Sequence, residues 1–420
     1  MSHHVVVIGA GIVGAATAVE LLRDGHAVSI VEPGEPGGEQ AASYGNGTLL
    51  NPSSVIPMST PGLWKKVPGY LSDPLGPLAI RWRYLPKLWP WLWRFVRAGA
   101  TVPKVEATAR ALAPLVADAP ELHRKLAEEA GAGALIRRQG VMFVFPSRAH
   151  FEAEATSWRI RRDNGTRWVE LDENELRQRQ PALDRRYKFA IVVEANAQCV
   201  DPGALVAALV RHAQALGATL RCERATGLRI EAGRLRAVRT SAGEIACDKA
   251  VIAAGAWSKA LAAAAGDDVP LETERGYHAV ISDPGIELRL PVMPSDGKMA
   301  HAMTPQGLRL SGQVELAGLD AAPNWKRAEI LRDFALTAWP GLPRDLPAER
   351  VKMWMGHRPS TPDGLPCIGP ASGCADVLHA FGHGHIGLTA GPATGKLIAD
   401  LIALRPPSID PTPYAARRFR

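Results

Sequence analysis

Thiols are scarce in this sequence, and pairs of them are missing. Five cysteines in 420 residues stand at Cys199, Cys222, Cys247, Cys367 and Cys374, an odd number with no Cys-x-x-Cys pair. That spacing excludes a zinc ribbon and a disulfide framework. Reduced thiols in a cytosol are the simplest account, and no metal site is expected. Also missing is any run of about 18 uninterrupted apolar residues, the length a spanning helix requires. The opening stretch Val5-Val6-Val7-Ile8 passes at once into glycines without a cleavage-site pattern, so no targeting segment is expected. There is no internal repeat. Charge of one sign is not in large excess: 49 basic against 42 acidic residues give +7. This permits nucleic acid, an anionic membrane or an anionic substrate without choosing among them. The basic residues are scattered and form no nucleic-acid motif, so that partner is the weakest candidate.

What is present is ordinary globular composition, 46% apolar and 22% charged, which excludes a disordered, collagenous or coiled-coil chain. The length is two to three times that of a usual domain, so two intertwined domains are expected. The 40 glycines and 34 prolines imply many turns and close backbone approaches.

Residues 5–32 read as one unit. An apolar strand enters Gly9-Ala10-Gly11-Ile12-Val13-Gly14, a helix stops at Asp24-Gly25, and a second strand (residues 27–31) ends in Glu32 and Pro33. Strand, glycine turn, helix, strand and acidic residue is the order a dinucleotide fold needs. Gly9 permits the tight turn, Gly11 lets backbone approach a pyrophosphate, and Gly14 lets helix and strand pack closely. The helix N-terminus faces the phosphate charge, and Glu32 would accept from the ribose hydroxyls. Farther on, a mixed helical stretch is expected over 105–130 and a strand over 140–145. Asp201-Pro202 reads as the cap and first turn of a helix ending at Gly217. Residues 270–355 read as short β segments with turns and one helix over 325–334. A strand over 377–381, a glycine loop and a helix over 392–404 close the chain.

Two later segments favour FAD over NAD. One is the strand end Ala253-Ala254-Gly255-Ala256-Trp257. The other is Gly382-His383-Gly384-His385-Ile386-Gly387-Leu388-Thr389, directly before a helix, where backbone N–H groups and the helix dipole suit the partly negative edge of a reduced flavin. Two far-separated glycine loops suit a large, two-ended cofactor. The expected class is α/β: a discontinuous Rossmann-like FAD-binding domain (1–60, 195–265 and 350–420) with an inserted antiparallel β-sheet substrate domain (61–194 and 266–349).

These motifs carry a resemblance. The chain resembles the FAD-dependent D-amino-acid dehydrogenase family, within the wider glycine oxidase, sarcosine oxidase and D-amino-acid oxidase group, over essentially its whole length. The Gly9–Gly14 turn with Glu32, the segment Ser43-Tyr44-Gly45-Asn46-Gly47, and the run from Gly356-His357-Arg358 to Gly369 followed by the Gly382 loop carry it. The resemblance implies that Ser43, Tyr44, Gly45, Asn46 and Gly47 line the pyrophosphate and isoalloxazine, that Ala225 lies where backbone holds the adenine, and that Ala254, Gly255 and Trp257 form a second cofactor strand. It implies oxidative deamination of D-amino acids to 2-oxo acids and ammonia, by hydride transfer from Cα to flavin N5, with electrons passed to a quinone or another acceptor. Arg358 would clamp the substrate carboxylate bidentately, Tyr277 would donate to it, and His385 or His383 would tune the flavin or hold the amine. No cysteine stands at Gly356 to Arg358, so the FAD is expected to be noncovalent. Two alternatives stay open: a peroxide-producing oxidase of glycine, sarcosine or a cyclic imino acid such as proline or hydroxyproline, and the flavin subunit of a hetero-oligomeric dehydrogenase.

One further segment stands out. Trp64, Trp82, Trp89, Trp91 and Trp93 are interleaved with Lys65, Lys66, Arg81, Arg83, Lys87, Arg94 and Arg97. Rings beside cations suit an anionic headgroup interface; a Trp-lined substrate wall or helix packing is the competing reading, since tryptophan is usually well buried. Pro86 and Pro90 are expected to break any long helix. The location expected is cytoplasmic, with peripheral contact at the inner face of the cytoplasmic membrane as an extension.

Overall fold

The computed structural model describes residues 2–63, 69, 76 and 78–420. Trp64, Lys65 and Lys66 of the aromatic and basic segment lie outside the described residues.

Branched apolar runs make the centre of the nucleotide sheet. Its order is Thr219–Arg221, Ala27–Val31, His4–Ile8, Lys249–Ile252, Val377–Phe381 and Cys367–Pro370. The first five run parallel, and the last is antiparallel to its neighbour. Parallel strands covered on both faces read as near-continuous apolar runs, and residues 5–8 and 28–31 do so. The helices Ile12–Arg23, Pro202–Ala215 and Gly387–Ile402 share one apolar core on this sheet. Small residues let two of them approach: a Cβ on Gly391 would lie 3.0 Å from Ile12, and one on Gly395 2.8 Å from the Thr17 nitrogen. The expected cap is in place, with Asp201 Oδ1 accepting from the Ala204 N–H at 3.0 Å.

The second layer is a nine-stranded sheet. Where short β segments were expected, it holds two ten-residue strands, Glu272–Ile281 and Gly307–Leu316, and a third, Val351–Ser360, along its edge. These strands read as short in the sequence because glycines and charged residues interrupt their apolar alternation. Val351–Ser360 pairs with Glu272–Ile281 along its whole length. The helix Lys326–Ala338 packs its buried face under this sheet and runs four residues, about one turn, past the expected stop at 334.

Prolines were poorer punctuation than expected. The last helix starts at Gly387, not at Pro392, and the aromatic helix Leu85–Ala98 runs through Pro90. Pro392 cannot donate to the Leu388 carbonyl four residues back. His123 Nε2 supplies the missing donor, meeting that carbonyl at 2.7 Å from the neighbouring helix Ala119–Glu129. Burial lowers the His123 pKa to about 4, so the ring is neutral and donates through Nε2–H. His123→Ala is expected to orphan a buried carbonyl at the start of this helix and cost about 1–3 kcal/mol. Chemical denaturation checks it; an unchanged midpoint and slope would remove this account of Pro392.

Candidate active site

The glycine turn is a cradle open on one side. Gly9 sits at φ +106°, where its N–H still donates to the Val31 carbonyl at 2.8 Å, and a Cβ there would collide with Ala253. A Cβ on Gly14 would overlap the Gly9 carbonyl. Gly11 differs: its missing Cβ would meet only Ser43 Oγ, at 3.5 Å. The space there is thus kept for something other than protein. The helix has no cap from its own N-cap residue, and Ser43 Oγ accepts from the Ile12 N–H at 3.1 Å, with Val13 and Gly14 completing the first turn. Glu32 directly follows the second strand, with its carboxylate held by the Ala10 N–H at 2.9 Å and the Gly34 N–H at 3.2 Å, past Pro33. It is therefore oriented at the mouth of the same turn.

The segment from Ser43 to Gly47 is fastened to the large sheet. Arg309 donates to the carbonyls of Tyr44 and Asn46 at 3.1 and 3.2 Å, and His278 Nδ1 meets the Gly45 carbonyl at 3.2 Å. The His278 ring stacks on Trp354 at 5.0 Å, and burial lowers its pKa to about 3. Gly45 is small because Trp354 occupies the place of its Cβ. Beside Gly47, Ser311 Oγ is buried without a hydrogen-bond partner, as is Arg309 Nε. Open backbone cradle, oriented carboxylate and orphaned buried polar atoms together fit a bound dinucleotide.

Ala254 and Gly255 (φ +54°) follow the central strand beside Gly9, and the half-exposed Trp257 meets the His357 ring edge-on at 5.6 Å. Ala225 opens the strand Ala225–Glu231 and packs with Ala254 on the core behind the sheet. The C-terminal loop turns at Gly382 (φ +87°) and Gly384 (φ +52°). His383 is buried there, its Nε2 2.9 Å from Thr394 Oγ1. Since that hydroxyl donates to the Ala390 carbonyl, His383 is the donor in this pair. Ile386 and Leu388 are core residues flanking Gly387, and Thr389 Oγ1 donates to the Leu49 carbonyl at 3.3 Å. His385 is exposed, but to a narrow cavity shared with Ser360, Gly384 and Glu274. Surrounding protein and the Arg358 charge lower its pKa to about 4.

Arg358 reaches the site by lying flat across its neighbour strand. It crosses over Gly276, where any Cβ would run into the guanidinium. Nη1 donates to the Gln313 carbonyl at 3.0 Å and Nη2 to the Gly312 carbonyl at 3.3 Å. A bulge opposite Gly276 and the left-handed Gln313 (φ +58°) turn these two carbonyls toward it. Burial lowers the Arg358 pKa, with Glu274 opposing the shift. A guanidinium has five N–H donors, so two anchors leave the others for a ligand. Gly276→Ala is expected to lift the guanidinium off the sheet and lower kcat/KM on the order of 100-fold, the size of a 1 Å misplacement. Wild-type kinetics in that variant would contradict the placement.

Tyr277 is not brought to Arg358. Arg358 stands opposite Glu274 in the strand register and lies over Gly276, so those positions share one face. Tyr277 points to the other, with Arg275 and Ala279. Its hydroxyl donates to Glu315 at 2.5 Å and accepts from the Asn324 N–H at 3.0 Å. Burial and that carboxylate push its pKa up to about 12. The expectation of an Arg358–Tyr277 clamp is thus corrected: strand parity separates the two, and Tyr277 belongs to a buried network with Arg275, Arg81 and Glu315. Glu274, Gly276, His278, Arg309 and Trp354 went unnoticed in the sequence. For Glu274, Gly276 and His278 the signal was their two-residue period, visible once a long strand is assumed.

The aromatic segment divides by face. Trp91 turns inward, its Nε1 donating to the Ser360 carbonyl at 3.3 Å and its ring stacked on Phe95 at 5.0 Å. Trp82, Trp89 and Trp93 are 68%, 60% and 54% exposed, so they cannot be core residues. Among the described residues no helix is long and apolar enough to cross a membrane, and no cluster of side chains could hold a metal ion.

A family model described as FAD-dependent oxidoreductase (DAO) matches residues 4–401. A D-amino-acid oxidase of Bradyrhizobium diazoefficiens is 57% identical over 416 residues, covering 99% of both chains. A D-amino acid dehydrogenase 2 of Pseudomonas aeruginosa is 31% identical over 418 residues, covering 98% of both. Among solved structures, glycine oxidase from Geobacillus kaustophilus superposes with a TM-score of 0.74 at 23% identity, covering 99% of both chains. The chain therefore belongs to the DAO family of FAD-dependent oxidoreductases.

Proposed function

We propose that the protein oxidatively deaminates D-amino acids to 2-oxo acids and ammonia. The observation that carries this reading is Arg358, a guanidinium fixed to two carbonyls on the face that holds the Ser43–Gly47 segment through His278. The two curated relatives described above are both named for D-amino acids. When bound, FAD supplies the acceptor for the hydride leaving Cα. The chain's own residues hold and orient the substrate: Arg358 takes the carboxylate, and the aromatic wall of Trp91 and Phe95 excludes water beside Ser360. The residues placed around the cradle, from Gly9 to Glu32, Ser43 to Gly47, Ala225, Ala254 to Trp257 and Gly382 to Thr389, would hold the cofactor noncovalently. Segments 1–60, 195–265 and 350–420 would carry it, and 61–194 and 266–349 would cover the substrate, with Val351–Ser360 serving both.

For the electron acceptor we propose a quinone or another carrier met at a membrane surface. Exposed Trp89 and Trp93, one turn apart with Arg97 5.8 Å from the Trp93 ring, make an aromatic and basic face on a helix whose other side lines the cavity. The D-amino-acid oxidase name of the 57% identical relative favours O2 as the second reading. Turnover with a D-amino acid and a soluble quinone should release ammonia and 2-oxo acid in equal amounts, with little peroxide in air. Fast aerobic turnover with stoichiometric peroxide would decide for O2. Trp89→Ser with Trp93→Ser is expected to abolish sedimentation with anionic vesicles; retained binding would remove the membrane face.

A further inference from the structure

We propose that Glu274 recognises the substrate's α-ammonium group and takes its proton, so that Arg358 and Glu274 together form a receptor for an amino-acid zwitterion. The inference rests on the amino-acid reading above and deepens it. Glu274 stands directly across from Arg358 in the strand register, on the same face. It is 5% exposed, yet it lines the cavity with Ser360, Gly384 and His385, and is the one acidic side chain among its described lining residues. Burying a carboxylate costs several kcal/mol unless something compensates. Here Arg358 is the cationic neighbour, and its donors are partly committed to Gly312 and Gln313. An α-amino acid carries its two charges one carbon apart, which matches a cation receptor beside an anion receptor.

The groups facing Glu274 leave it the role of base. Arg358 and the Ser360 hydroxyl face it from the next strand, and Glu272 stands on its own strand. Glu272 is occupied by Tyr84 OH at 2.9 Å and the Thr273 N–H at 2.8 Å. From the C-terminal loop, His383 is kept neutral by burial, and His385 by the surrounding protein and the Arg358 charge. Burial raises the Glu274 pKa, which makes its ionised form a better proton acceptor than an exposed carboxylate. In the step, an N–H bond of the ammonium breaks, an O–H bond forms on Glu274, and the electron pair stays on nitrogen. The neutral amine needed for loss of the Cα hydride is thereby produced.

The test is Glu274→Gln in the FAD-loaded enzyme, with two unreactive probes. 2-Aminoisobutyrate carries ammonium and carboxylate but no Cα–H; isobutyrate carries only the carboxylate. Glu274→Gln is expected to weaken 2-aminoisobutyrate at least tenfold while isobutyrate binds as well or better. For D-alanine, kcat/KM should fall at neutral pH and climb about tenfold per pH unit toward the amine's own ionisation, whereas wild type stays flatter. Equal weakening of both probes, or an unchanged pH profile, would mean a structural role and overturn the proposal. Wild-type enzyme that binds neither probe and is not reduced by D-amino acids would instead remove the amino-acid site itself, and the proposal with it.

Discussion

Replacing Arg358 with alanine is expected to lower kcat/KM for D-amino acids by roughly 100-fold, with FAD still bound. A charge-assisted hydrogen bond contributes about 1.5–3 kcal/mol, and a bidentate carboxylate pair belongs at the upper end of that range. Each 1.4 kcal/mol is about tenfold. Cofactor retention is expected because the described hydrogen bonds of Arg358 go to Gly312 and Gln313 on the large sheet, none of them to the glycine cradle. Arg358→Lys should recover only part of the loss, since an ammonium keeps the charge but cannot meet a carboxylate along two parallel bonds. Steady-state kinetics with the flavin content measured on the same samples separates the two effects. Normal substrate affinity in Arg358→Ala would take this residue out of the site.

Gly11→Val is expected to give a folded protein that cannot keep FAD. The apo cradle has room: a Cβ at Gly11 meets Ser43 Oγ at an ordinary 3.5 Å, and the residue has φ −67° and ψ 178°, an extended conformation valine favours. The side chain would fill the path by which backbone approaches a pyrophosphate. Gly14→Ala makes the contrast, because its Cβ would overlap the Gly9 carbonyl and disturb the turn itself. A colourless Gly11→Val protein with a wild-type apo unfolding midpoint is the expected result. A yellow, fully loaded variant would refute the cradle.

The parts legible in the sequence were those set by local backbone chemistry. Gly9, Gly14 and Glu32 declare themselves because a tight turn, a close helix approach and a strand-end carboxylate lie within one βαβ unit, and the structure holds them so. Asp201 and Pro202 likewise cap and open a helix from adjacent positions. What escaped depends on partners far along the chain. Tyr277 and Arg358 sit 81 positions apart, and only the register of Glu272–Ile281 against Val351–Ser360 shows that they face opposite sides. The same register brings Glu274 to Arg358, and Gly276 matters only because an arginine from the next strand lies across it. Pro392 reads as a helix start until His123, 269 positions earlier, supplies the donor that proline lacks. Composition could not sort the aromatic segment by face, since one helix turns Trp91 inward and leaves Trp89 and Trp93 exposed.

The central claim is that this FAD site removes a hydride from D-amino acids held by Arg358. Its most direct test is anaerobic bleaching of the oxidised-flavin band by paired D- and L-amino acids, followed by readmission of air. The account predicts rapid bleaching by D-forms and not by their L-partners, with the colour returning slowly in air. Bleaching by glycine, sarcosine or L-proline in place of D-amino acids would contradict it.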